Sequence, residues 1–183
     1  IPLCLVGSEM CIRDRSKFLL GDFSNLDISG DNFDAVVASG VLYHMEDPVA
    51  LLEKVSSKTD HLFIWTHYFE EDLERWSSVA KREIKNGKWD IDNPKIFDID
   101  GLSVKTIRQD YGQAKRWSGF CGGSSSFSYW ICKKDLLALI RKLGFANIRI
   151  NFDKVDHPNG PCFALIASSC LLYTSPSPRD TEV

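Results

Sequence analysis

The sequence predicts an α/β domain in which βαβ units build a parallel sheet and an antiparallel hairpin closes the C-terminal side. Three observations carry this expectation. Residues 32–39 (NFDAVVAS) are a continuous apolar run with a β-branched centre, which suits a strand buried on both faces. Asp47-Pro48 then opens a helix, with Asp as N-cap and Pro at the first helical position, and Val49, Leu51, Leu52 and Val55 supply its buried face. Residues 60–66 (DHLFIWT) form the next strand, and a strand–helix–strand alternation of this kind favours parallel pairing.

The other elements follow in order. Residues 16–21 (SKFLLG) are a short apolar run that ends at Asp22. Residues 70–87 predict one helix: Leu73, Trp76, Ala80 and Ile84 recur at helical spacing, acidic residues open it, basic residues close it, and Asn86-Gly87 stops it. Residues 88–129 show weak periodicity, aromatic clusters and the Gly-Ser-rich run GFCGGSSS, so an insert of about 70–130 is expected to act as a lid or binding loop. Lys133 to Leu143 is amphipathic and is closed by Gly144, with Phe145 placed to pack back. Ile148–Phe152 and Cys162–Ala167 are strands joined by the turn-rich DKVDHPNGP.

Composition narrows the function classes. The 183 residues are 44% hydrophobic and 26% charged, as in a globular domain with a sizeable core. A net charge of −3 gives no reason to expect a polyanion partner. No apolar run is long enough for a membrane helix, and the N-terminal apolar patch lacks the preceding basic region of a signal peptide.

The two ends are expected to be non-native. Residues 170–180 (CLLYTSPSPRD) can be encoded by a string whose reverse complement, in a shifted frame, translates as LVGSEMCIRD, which is Leu5 to Asp14. Two unrelated protein segments would not encode each other's complementary strand. The string also resembles the transposase adapter of sequencing libraries. Residues 1–15 and 170–183 are therefore set apart as tails, and 16–169 as a partial domain of a longer protein. Of the six cysteines, Cys121, Cys132 and Cys162 remain. They lack zinc spacing, so no metal is expected, and free thiols suggest a reducing, cytoplasmic compartment.

Across Phe33–Val55, FDAVVASGVLYHMEDPVALLEKV, the chain resembles class I S-adenosylmethionine-dependent methyltransferases. The pattern is that family's strand four, a small-residue turn, Tyr43-His44, and a helix with Asp-Pro at its start. It continues through strand five, an insert, a helix ending Leu143-Gly144-Phe145 and a final hairpin. The resemblance implies a truncated doubly wound, Rossmann-like methyltransferase sheet. One departure stands out: nothing matches the family's glycine-rich turn after strand one, or the acidic residue after strand two. The resemblance thus covers strand three onward, and it implies weak cofactor binding by this chain.

For the cofactor, S-adenosylmethionine, the resemblance points to Asp22 and Phe23 near the adenine and to Ser39 and Gly40 as a turn open to close approach. Simple strand-end turns are the alternative at both places. His67, His44 and His157, in that order, are candidate catalytic residues, because each follows a predicted strand at its carboxyl end. The structural alternative is that all three pin loops by hydrogen bonding. His61 starts its strand at the opposite edge and is set aside. Tyr43, Trp117 and Phe120, with Gly122-Gly123, are candidates for acceptor contact, or else an apolar anchor for the long insert. The implied activity is methyl transfer to oxygen or nitrogen of a small-molecule or carbohydrate-like acceptor. A tRNA-modifying enzyme and a non-catalytic binding module are the rival readings.

Overall fold

The computed structural model describes residues 28–169, apart from Ser29 and Cys121. Four strands make the main sheet: β1 (Val36–Ser39), β2 (His61–His67), β6 (Asn147–Lys154) and β7 (Cys162–Ser168), in the order β1-β2-β7-β6. β1 and β2 pair in parallel across α1 (Pro48–Ser56). β7 enters antiparallel between β2 and β6, so β6 runs the same way as β2. Among the described residues, parallel pairing of strands is confined to β1–β2, and the expected closing hairpin is β6–β7.

Side-chain alternation explains how this sheet is covered. Leu62, Ile64 and Thr66 lie on one face of β2, opposite Ala167, Leu165 and Phe163 of β7, and all are buried. Val49 and Leu52 of α1, and Leu136, Leu139 and Ile140 of α3 (Lys133–Lys142), pack with them in one core, together with Phe145 behind Gly144. Asp47 caps α1 as the sequence predicts, its carboxylate accepting from the Ala50 N–H at 2.8 Å. The other face keeps Val37 67% exposed, with Ile166 and Phe152 also exposed.

Two expectations are corrected between residues 70 and 131. The single helix predicted over 70–87 is broken into a 3-10 turn (Leu73–Arg75) and α2 (Ser78–Lys85). Trp76 is extended at the break, which buries its indole and lets its Nε1 donate to the Glu70 carbonyl at 2.9 Å. Ser77 then starts the helix afresh, accepting from the Ala80 N–H at 3.1 Å.

The stretch after it is no loop. It forms a three-stranded antiparallel sheet, β3 (Trp89–Ile99), β4 (Leu102–Asp110) and β5 (Phe127–Ile131), in the order β3-β4-β5. Asp100 and Gly101 join β3 to β4 with φ of 45° and 81°, the two positive values that a tight hairpin demands. The weak periodicity of β3 has a physical cause: its register shifts between Asp90 and Lys95, around Asn93-Pro94, where Asp90 accepts from the Asn93 backbone and side chain.

This second sheet has its own core of Phe69, Trp76, Ala80, Trp89, Ile107, Trp130 and Cys132. It is stitched to the main sheet at two places. Phe69 N–H donates to the Ile131 carbonyl at 3.0 Å, and Tyr129 N–H donates to the Met45 carbonyl at 3.0 Å. The second bond draws β5 across the 3-10 turn Leu42–His44 that follows β1.

Candidate active site

The ends of β1 and β2 and the start of β7 open onto the same edge of the main sheet, and the insert sheet leans over it. Trp65 and His67 occupy one face of β2 because they are two residues apart, and their rings lie 5.5 Å apart. Tyr43, from the 3-10 turn after β1, sets its ring edge-on to both, 5.9 Å from Trp65 and 4.8 Å from His67. Trp130 of β5 stacks on His67 at 5.0 Å with the planes 17° apart. The Trp130 Nε1 is buried without a hydrogen-bond partner among the described residues.

His67 is held by backbone. Its Nδ1 lies 3.0 Å from the Gly160 carbonyl and 3.1 Å from the Pro161 carbonyl, so Nδ1 carries the proton and Nε2 the lone pair. Burial pulls its pKa down to about 4 against those two carbonyls, and the nearby His157 and Lys88 add to the fall. The imidazole is neutral at physiological pH. Gly160 cannot be replaced without cost: φ is +107°, and a Cβ there would meet the Trp130 ring at 2.7 Å.

His44 faces the insert. Its Nδ1 is 2.7 Å from the hydroxyl of Tyr111, which follows β4 and is buried. Burial lowers the pKa of His44 as well. The His44 ring also lies 4.1 Å from Tyr43, and Phe120 packs edge-on to Tyr111 at 4.9 Å. His157, in the turn after β6, sits with its ring 5.4 Å from His67.

Tyr43, His44, His67 and His157 therefore form one chain of ring contacts, with Phe120 reaching it through Tyr111. Trp117 does not join them. It is 69% exposed and lies over Gly119, where a Cβ would meet its indole at 2.6 Å. Ser39 and Gly40 lie beside Tyr43 and Trp65, and Gly40 donates its N–H to the Trp65 carbonyl at 2.9 Å. Asp22 and Phe23 lie outside the described residues. His61 is exposed at the other end of β2.

Sequence reasoning missed Trp65, Tyr111, Trp130 and Cys162 as site residues. Trp65 was accessible through its i, i+2 relation to His67. No local signal connects Tyr111 or Trp130 to this edge, since only the folded insert brings them there.

Residues 6–58 match the Methyltransferase domain family, a range that starts within the segment set apart above as a tail. No match was found among curated protein sequences. The N-terminal domain of EvdMO1 with SAH bound superposes with a TM-score of 0.54 at 22% identity, over 83% of this chain and 53% of that one. The same domain in the presence of SAH and D-fucose gives 0.52 at 23% identity, over 82% and 53%. The described residues share the fold of that domain, and residues 6–58 are similar to methyltransferase domains. This chain spans about half the length of those two solved chains.

The Ser39-Gly40 turn follows β1 at this edge of the sheet. Gly40 has φ +74°, and the nearest atoms to a Cβ there would be 3.8 Å away on Trp65 and 3.9 Å away on the Tyr43 hydroxyl. Those are ordinary van der Waals distances, so conformation alone calls for glycine.

Proposed function

We propose that the protein transfers a methyl group from S-adenosylmethionine to a hydroxyl oxygen or an amine nitrogen of a small, carbohydrate-like acceptor. The observation that carries this reading is the His44–Tyr111 pair, at 2.7 Å, beside the Tyr43–His67 wall at the carboxyl ends of β1 and β2. Bound S-adenosylmethionine supplies an electrophilic methyl carbon. Ser39 and Gly40 offer the backbone against which it would lie.

The chain's own groups have three tasks. Tyr43 and Trp65 give flat apolar walls, backed by the buried Trp130 behind His67, with few polar groups among them to set orientation. His44, backed by Tyr111, takes the proton that an acceptor hydroxyl loses as its oxygen attacks. His67, neutral and fixed through Nδ1, presents an Nε2 lone pair that accepts a hydrogen bond from the acceptor. Alignment of acceptor and methyl carbon supplies much of the remaining rate. The D-fucose present with the EvdMO1 domain supports a sugar as the first acceptor to try.

The test uses the full-length protein with methyl-labelled S-adenosylmethionine and a panel of deoxyhexoses, nucleotide sugars, small amines and bulk tRNA. Label on a sugar or amine is the expected result. Label on tRNA alone would overturn the acceptor class, and no cofactor binding by calorimetry would overturn the activity.

A further inference from the structure

We propose that His67, His157 and Cys162 form a binding site for one divalent transition metal ion of the zinc class. One ligand atom from each of the three residues lies within 4.8 Å of the other two. Donors around a tetrahedral zinc stand roughly 3.3–3.6 Å apart, given Zn–N near 2.0 Å and Zn–S near 2.3 Å. The gap to be closed is about an ångström.

Strand register explains why two of the ligands are already fixed. His67 and Cys162 are direct partners in the β2–β7 ladder. Tyr68 N–H donates to the Pro161 carbonyl at 3.0 Å, which makes 67 and 162 a non-hydrogen-bonded pair, the kind whose side chains stand closest. The stack on Trp130 and the two carbonyls at Nδ1 orient the His67 ring and leave Nε2 to bind. Backbone carbonyls at the far nitrogen are a recurrent support for metal-bound histidine. Both Cys162 and His67 are buried, so a bound ion would be shielded from bulk water on that side.

The third ligand supplies the movement. His157 lies in the turn between β6 and β7, and its Nδ1 accepts from the Asn159 N–H at a long 3.2 Å. Metal binding exchanges that contact for a metal–nitrogen bond. At Cys162 the S–H bond breaks, a metal–sulfur bond forms and the proton leaves to solvent. Three protein ligands leave a fourth position for water or for an acceptor hydroxyl, which would then meet the ion in place of the His67 Nε2 lone pair. That last role rests on the methyl-transfer reading; metal binding does not.

The experiment titrates the chelator-treated full-length protein with Zn²⁺ and with Co²⁺, in the absence of cofactor and acceptor. One ion per chain is expected, and the Co²⁺ form should show thiolate-to-metal charge transfer. Cys162→Ser should abolish that band, and His157→Ala should weaken Zn²⁺ binding at least about 10-fold, the lower end for disturbed metal sites. His61→Ala, at the other end of β2, should change neither. Circular dichroism of each variant excludes unfolding, and His157→Gln provides a second, milder change of the same ligand. No stoichiometric binding, no charge-transfer band, or wild-type affinity in the Cys162 and His157 variants overturns the site. Methyl transfer by a protein that binds no metal would overturn the site and leave the proposed function standing.

Discussion

His44 and His67 share a wall but differ in their partners: one faces a phenol, the other two carbonyls. His67 is too weak a base to hold a proton near neutrality, its pKa being drawn to about 4 chiefly by burial. His44 is also lowered by burial, and its partner is a hydroxyl that can pass a proton on. If His44 is the base, its working form is the neutral one. Burial disfavours the cation, so that form persists below the ordinary histidine value of about 6.5. Turnover should therefore hold as pH falls past that value and then drop through the lowered pKa. His44→Ala should cut kcat by about 100-fold or more, the lower end for general acid–base work, with cofactor affinity unchanged. Tyr111→Phe should reduce kcat less and shift the acid limb. Both are read from pH–rate profiles of the full-length enzyme, and an unaltered acid limb in His44→Ala would remove His44 from the chemistry.

At the scale of elements, the break before α2 ties the insert to the turn that carries His157. Ser77 acts twice: its Oγ accepts from the Ala80 N–H at 3.1 Å and donates to the His157 carbonyl at 3.2 Å. Ser77→Ala should destabilise the protein by about 1 kcal/mol for the cap, with a comparable loss for the second bond. In a domain of this size each kcal/mol lowers Tm by roughly 2–4 °C. Ser77→Asp keeps the cap acceptor and loses the donor, so its Tm should fall between those of wild type and Ser77→Ala. Equal melting of all three would mean that neither bond contributes. The insert sheet is legible in part: Asp100-Gly101 between apolar runs is a strong hairpin signal in the sequence. The shifted register around Asn93-Pro94 masks the alternation that would have announced β3.

For the whole molecule, the main core and the insert core meet where Phe69, Tyr129 and Ile131 bond across. The edge between them holds the candidate residues. The face of the main sheet bearing Val37, Ile166 and Phe152 is exposed, and apolar area of this kind favours association with another surface. Among the described residues, no helix is long and apolar enough to cross a membrane. We propose that residues 1–15 and 170–183 add nothing to folding stability, because of their reverse-complement relation. Ser16–Ser169 alone should melt within error of the 183-residue chain in a thermal scan. A clear loss on trimming would show that part of those segments belongs to the fold, as the family match from residue 6 would then suggest.

The sequence by itself determined the βαβ start, the capped helix at Asp47-Pro48, the closing β6–β7 hairpin and the placing of Tyr43, His44, His67 and His157 at strand ends. Those features are local: they follow from runs of a few residues whose periodicity, caps and turns need no distant partner. Tertiary structure decided the rest. Trp76 broke a helix that local spacing favours, because burying its indole outweighs continuing the turn. The insert became a sheet through pairing between segments as far apart as β4 and β5. Tyr111 reached His44 across 67 residues of chain, and His67 met Cys162 only when β7 inserted beside β2. Contacts of that range depend on which strands pair and in what register, and a window of sequence does not contain that information.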